Sequence, residues 1–423
     1  MNRFFSVFSH KNPQLVDNVS IRQQKLILLA IISLGLTIRA ASWWLQGFRG
    51  SEQSEFETMS RFIAQGDWSA YFSMTRPHQP VYAFLLMPKY LFNVNLGLHT
   101  FILHSVLASG TIYLVFRIAQ YLFGTVCGLL SALLVAINLM IALWFPWITG
   151  DTPFHFFLAL FALSSVKVWE KHHLGNILSF FFCGLLCILS RPEGLFVAAM
   201  ACMVLIYMIL YRFVPVRKIL ILMLAAIILG KTAFVATLYY NKPVRDAFFS
   251  SMHVAFPLYI STRMSTNSPQ EQAAAYNSMG IAVEKARHLP GFVSPNYALS
   301  MEGLRFIQEN PLTWFKMYTM RLSSIVFPSV FSPWWSLKTT VYSFSMSFLL
   351  FFGSLIGCYL GDTKKYQVVG LTLMGFTIAL VVSLFQREMD HRVPLSMDII
   401  LSCVAPYGWI RLYQYLMKRG PYA

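Results

Sequence analysis

Long apolar runs, each about the length of a bilayer-crossing helix and separated by short charged connectors, recur along this chain and leave it few folds to choose from. A helix needs ~20 mostly apolar residues to cross the hydrocarbon. Unpaired backbone groups are costly there, so each run must satisfy its own hydrogen bonds as a helix. Such runs fall at 26–46, 99–120, 124–145, 152–168, 174–190, 194–212, 219–240, 343–360, 367–385 and 394–412. The expected fold is an all-α integral membrane protein of about ten transmembrane helices, with two long extracytoplasmic loops that carry interfacial helices. Composition agrees: of 423 residues, 57% are hydrophobic and only 12% charged, too little polar side chain to coat a soluble domain.

An even number of crossings puts both termini in the cytoplasm. The loops then assigned to that side hold Lys167, Lys171, Arg212, Arg217, Lys218, Lys364, Lys365, Arg411, Lys418 and Arg419, as the excess of cations on cytoplasmic loops requires. The expected organisation is a basic cytoplasmic N-terminus at 1–25, leading into an uncleaved signal anchor. An N-terminal membrane bundle follows at 26–240, with a first extracytoplasmic loop at 47–98. A second such loop spans 241–342, and membrane helices with a cytoplasmic tail span 343–423. The net charge of +16 is scattered over short loops rather than gathered in one basic stripe, so it reads as an orientation signal and not as a nucleic-acid surface. The six cysteines lie in or beside apolar runs, where a thiol acts as a small hydrophobe, and their spacing implies no disulfide framework or metal site.

Both long loops mix apolar stretches with charge and are expected to fold against the membrane. Residues 55–65 place Phe56, Met59, Phe62 and Ile63 at helical spacing, with Glu57 and Arg61 at i and i+4, which predicts a helix lying in the interface with that pair on its surface. In the second loop the chain turns amphipathic from Met301, breaks at Asn310-Pro311, and continues through an aromatic stretch from Trp314 to Trp335. That stretch suits an interfacial or re-entrant segment bordering a lipid-accessible groove.

Acids are few, 17 in all, yet Glu52, Glu55 and Glu57 cluster where the chain leaves the first span, and Asp151 falls on the same expected face. That face has no nucleotide supply, and the sequence carries no phosphate-binding glycine loop or dinucleotide fingerprint. An enzyme working there must use an activated group already attached to lipid. Glycosyl transfer from a polyprenyl phosphate needs a carboxylate to take the proton of an acceptor hydroxyl, and cations to hold the departing phosphate. Glu52 and Asp151 are candidates for the first role; Arg39, Arg76, His78, Arg191 and Lys231 are candidates for the second. A divalent cation could replace part of that charge. Each residue also has a plainer reading. Glu55 and Glu57 fit a solvated helix face, Asp151 a helix N-cap, Arg191 a partner for Glu193, and His104 and His155 packed or hydrogen-bonded histidines. Lys231, midway through an apolar run, would face a polar cavity or snorkel.

Taken in order, these segments resemble the GT-C glycosyltransferases, the polytopic family that includes the protein O-mannosyltransferases and the bacterial aminoarabinose transferases for lipid A. Ser51-Glu52-Gln53, Phe56, Ser60 and Gly66 follow that family's spacing of acid, aromatic, small residue and glycine, with Glu52 where an Asp is usual. Arg76-Pro77-His78-Gln79-Pro80-Val81-Tyr82 resembles its basic, proline-containing donor-phosphate segment. Gly150-Asp151-Thr152-Pro153 resembles its second acidic position, and Ser190-Arg191-Pro192-Glu193-Gly194 its Arg-Pro turn. Asn310-Pro311 with Arg321, and His391-Arg392-Val393-Pro394-Leu395, resemble its later elements. The resemblance implies an inverting, single-displacement transfer at the extracytoplasmic face of a bacterial cytoplasmic membrane. Its donor is a polyprenyl-phosphate-linked sugar, and its acceptor a glycan, lipid or protein. Glu52 is then the base, Asp151 orients the acceptor, and Arg76 with Arg191 holds the phosphate. Two other classes compete: a polymerase or ligase of lipid-linked glycans, and a flippase or transporter, which Lys231 favours and acids clustered at one face disfavour.

Overall fold

The computed structural model describes residues 20–48, 53–67, 70, 80–171, 173–191, 193–212, 274, 277–278, 280–282, 284, 295–326, 337–361, 365–385 and 395–418. Every element among them is a helix. They run, in order, α1 (Ile21–Gln46), α2 (Gln53–Gln65), α3 (Pro80–Leu86), α4 (Pro88–Leu91), α5 (Leu96–Phe123), α6 (Thr125–Ile137), α7 (Leu139–Leu143) and α8 (Asp151–Glu170). Then come α9 (Leu174–Ile188), α10 (Glu193–Arg212), α11 (Pro295–Glu309), α12 (Pro311–Val326), α13 (Leu337–Leu360), α14 (Lys365–Phe385), α15 (Leu395–Ser402) and α16 (Ala405–Lys418). Among the described residues four helices are long and apolar enough to cross a membrane: Ile21–Gln46, Leu96–Phe123, Asp151–Glu170 and Val341–Leu360. The span expected at 219–240, with Lys231, lies outside the described residues.

α8 is the axis of the bundle. Its apolar window is 72% buried, against 28% for α1, and it packs on α5, α9, α10, α14 and α15. Phe154, Leu158, Phe161, Ala162 and Trp169 carry its side of one continuous apolar core. α1 instead turns Leu29, Trp44 and Leu45 outward, as a helix at a lipid boundary does. α5 and α6 join without a loop, because Gly124 takes φ 91°, which only a residue lacking Cβ adopts cheaply.

Two expected spans are broken. The run 124–145 divides at Asn138, whose Oδ1 accepts from Met140 N at 3.0 Å and Ile141 N at 3.3 Å, so the side chain starts a new helix instead of riding within the old one. In hydrocarbon such a break persists only if the freed backbone groups find partners, and they do. Arg39 donates to Ala136 O and Val135 O, both at 3.3 Å. Tyr342 donates to Ile137 O at 2.6 Å and lies 3.3 Å from Leu139 N, which donates to its hydroxyl. Asn138 Nδ2 donates to the buried Asp398 at 2.9 Å. The run 394–412 divides after Ser402, where Cys403 N and Val404 N reach back to Ile400 O and Leu401 O at 3.1 and 3.0 Å. Past this bend α16 approaches α13 so closely that a methyl on Gly353 would meet Ala405 O at 2.8 Å, and one on Gly408 would collide with the Gly353 carbonyl.

In the first long loop, the expected helix forms as α2, but its apolar face meets protein. Phe56, Met59 and Ile63 are 4%, 0% and 6% exposed, packed against Tyr82, Ala83 and Met87 of the α3–α4 region. Glu57 does not rely on Arg61. It binds Lys89 of α4 at 2.7 Å, and Tyr90 donates to its backbone carbonyl at 3.1 Å. In the second loop the break falls at Asn310, between α11 and α12.

Candidate active site

The acid end of α8 is built by a two-residue step. Gly150 occupies the N-cap with no side-chain cap bond, and Asp151 is the first helical residue, so the expected cap role for Asp151 is not what holds it. A carboxylate in the first turn still meets the positive end of the helix dipole. Asp151 is 1% exposed, and Arg191 Nη1 donates to its Oδ1. Lys167 and Lys171 lie at the other end of α8, ~24 and ~30 Å away by the helix rise.

Arg191 sits in the turn between α9 and α10. The turn is tight: Arg191 N and Ser190 N both bond Cys187 O, at 3.3 and 3.2 Å, and Gly194 N bonds Arg191 O at 3.0 Å. A Cβ at Gly194 would lie 2.8 Å from Ile188 N, so only glycine fits. The guanidinium faces two acids, with Nε and Nη2 donating to Glu193 Oε2 and Oε1, both at 3.1 Å, in a bidentate fork. Asp151, Arg191 and Glu193 together carry one net negative charge.

Two other segments reach this point. A Cβ on Gly150 would come within 3.5 Å of Ser190 O, 3.7 Å of Arg191 Cγ and 3.9 Å of Phe56 Cζ, so the ring of Phe56 and the stem of Arg191 both reach the Gly150 step ahead of Asp151. Val81 N, at the start of α3, donates to Leu189 O at 3.3 Å, which ties the chain just after residues 76–79 to the same turn. Glu52, Arg76, His78 and Arg392 lie outside the described residues, as does the side chain of Glu55.

Behind this cluster stands His104, hydrogen-bonded through both ring nitrogens. His104 Nδ1 lies 2.9 Å from Phe145 O and His104 Nε2 lies 2.9 Å from Tyr82 Oη. A carbonyl only accepts, so Nδ1 carries the proton and the Tyr82 hydroxyl donates to Nε2. Tyr82 and His104 are both 0% exposed, their rings stack at 5.8 Å, and Phe56 meets Tyr82 edge-on at 5.0 Å. The pair therefore links α3, α5, the segment ahead of Asp151 and the α2 ring above it. The only signal in the sequence was a histidine in an apolar run.

Arg39 is 2% exposed, but its hydrogen bonds go to Gly35 O at 3.0 Å and to the two α6 carbonyls. It caps a helix C-terminus, where a cation meets the negative end of the dipole. Glu57 and Lys89 form the outer tie. Burial pushes the Glu57 carboxyl up, but the Lys89 hydrogen bond and the charges of Lys89 and Arg61 outweigh it and hold the group below its ordinary value. Among the described residues no three His, Cys, Asp or Glu side chains gather as a metal site would require.

No protein-family model matches the chain, and no curated protein matches it. Solved structures that match include the crystal structure of the Archaeoglobus fulgidus oligosaccharyltransferase complex with Zn and sulfate. The match has TM-score 0.44 and 13% identity, and covers 93% of this chain and 51% of that one. The chain thus spans about half the length of the oligosaccharyltransferase chain to which it is similar.

Proposed function

We propose that this chain is a polytopic membrane glycosyltransferase. It moves a sugar, with inversion, from a polyprenyl-phosphate-linked donor to a glycan, lipid or protein acceptor at the extracytoplasmic face of a bacterial cytoplasmic membrane. One observation carries the reading: the part-buried Asp151–Arg191 pair forms at the end of α8, where Phe56 of α2 reaches Gly150 and Val81 of α3 bonds the Arg191 turn. Glu52 is four residues from Phe56, and Arg76 and His78 are five and three from Val81, so chain length alone keeps each candidate within ~20 Å of Phe56 or Val81.

In this reading the Glu52 carboxylate takes the proton of the acceptor hydroxyl, whose oxygen attacks the anomeric carbon. The bond from that carbon to the phosphate oxygen breaks, and the polyprenyl phosphate leaves with the electron pair. Arg76 and His78 meet its growing charge, and electrostatic stabilisation of this kind is usually the largest single contribution to such a step. Asp151 orients the acceptor, held in place by Arg191. The Nε–Nη2 edge of Arg191 is taken by Glu193, so a bidentate contact with the donor phosphate through that edge requires exchanging Glu193 for it.

The test is sugar transfer from polyprenyl phosphate by purified, reconstituted protein. Glu52→Gln keeps size and hydrogen bonding but loses the base, and transfer should fall about 10²–10⁴-fold with donor binding retained. Arg76→Ala should weaken donor binding, and Glu55→Gln should change little. Near-normal transfer by Glu52→Gln would remove Glu52 as the base. Absence of transfer by any form, with lipid crossing between leaflets, would make the chain a flippase.

A further inference from the structure

One turn inward from Asp151, a cavity of about 10 Å³ lies between α1, α5, α8 and α15, lined on its polar side by Arg39, Thr111, Thr152 and His155 and on its apolar side by Phe145 and Ile399. It belongs to no step of the proposed transfer. Two of its walls are polar side chains with unused capacity. His155 is 4% exposed, and its Nε2 has no hydrogen-bond partner among the described residues. Arg39 has five N–H groups, and three hydrogen bonds to carbonyls leave two over.

A guanidinium surrounded by apolar helices is costly unless it is solvated or paired. The carbonyls at the end of α6 supply one side of that solvation, and the cavity faces the other. A buried water needs room for about one probe sphere and two to four polar partners. A volume of about 10 Å³ with these four side chains meets both conditions at the lower limit of size. A larger oxyanion does not fit, and the α6 carbonyls already offset part of the charge that would draw one.

We propose that this cavity is a binding site for a single ordered water that joins α1 to α8. The water oxygen accepts from Arg39, and one of its O–H groups donates to His155 Nε2. His155 is therefore the tautomer protonated on Nδ1. Thr152 lies at the same cavity, and the bridge locks the first turn of α8, and with it Asp151, to the helix break at Asn138.

Crystals of the full chain grown with bromide in place of chloride, at a resolution that shows water and with data at the bromine edge, test this directly. The expected map has one peak within hydrogen-bonding distance of Arg39 and His155 Nε2, with no anomalous signal. An anomalous peak would replace the water by a halide, and an empty cavity would remove the site; either overturns the proposal. His155→Leu, of similar volume but without an acceptor, should abolish the peak while Arg39 keeps Val135 O and Ala136 O. A peak unchanged in that variant would show that His155 does not hold the water. If the variant does not fold, the native map alone decides.

Discussion

Removing the Tyr82 hydroxyl isolates one atom's contribution to the scaffold behind the site. Tyr82→Phe keeps the ring that meets Phe56 at 5.0 Å and deletes only the donor 2.9 Å from His104 Nε2. The other ring nitrogen stays on Phe145 O, so the tautomer cannot turn over to compensate. Nε2 is left as a buried lone pair in a residue 0% exposed, and an orphaned acceptor of this kind costs about 1–3 kcal/mol. That corresponds to about a 5- to 150-fold loss in the folding equilibrium. The control is the same substitution in a His104→Leu background, where there is no nitrogen to orphan and the hydroxyl deletion should cost less by about the same 1–3 kcal/mol. Denaturant or thermal unfolding in detergent measures all four proteins. Equal costs in both backgrounds, or no cost in the native one, would refute the donor assignment.

Three other substitutions probe separate parts of the account. Gly408→Ala drives a methyl into the Gly353 carbonyl, a backbone atom that cannot swing aside, so stability should fall by about 1–3 kcal/mol or more; an unchanged melting temperature contradicts the α13–α16 contact. Glu193→Gln weakens the fork on Arg191, so the KM for a polyprenyl-phosphate donor should fall, and an unchanged KM contradicts the exchange of Glu193 for phosphate. Glu57 is held below its ordinary value in the folded chain, so its contribution is present above about pH 4.3 and is lost as pH falls through the folded value. Amide protection in α2, taken relative to the intrinsic exchange rate at each pH, should fall below about pH 4.3 in the native protein and show no such step in Glu57→Gln.

What the sequence disclosed follows from the range of the interactions involved. α1, α5 and α8 were legible because each is a long apolar run with polar flanks, and the Arg191–Glu193 pair because its members are two residues apart. The break at Asn138 was not. One Asn in an apolar run can face a neighbour within a helix or start a new one, and here Arg39, Tyr342 and Asp398, all distant in sequence, decide it. The partners of Arg39 were hidden for the same reason: two of its three acceptors are carbonyls left open where α6 stops. Glu57 offered a local partner in Arg61, but α4 brings Lys89 to 2.7 Å, and the same packing buries an α2 face that its pattern assigned to the interface. Phe56 stood at the right spacing from Glu52, yet only the fold shows that its ring meets Tyr82 and reaches Gly150.

The most direct test of the central claim is the anomeric configuration of the product formed by the reconstituted protein from a polyprenyl-phosphate sugar of known configuration, read by NMR. A single displacement at the Asp151 end of α8 predicts a new glycosidic bond of opposite configuration to the donor. Retained configuration, or donor that crosses the bilayer with its sugar still attached and no product, would contradict it.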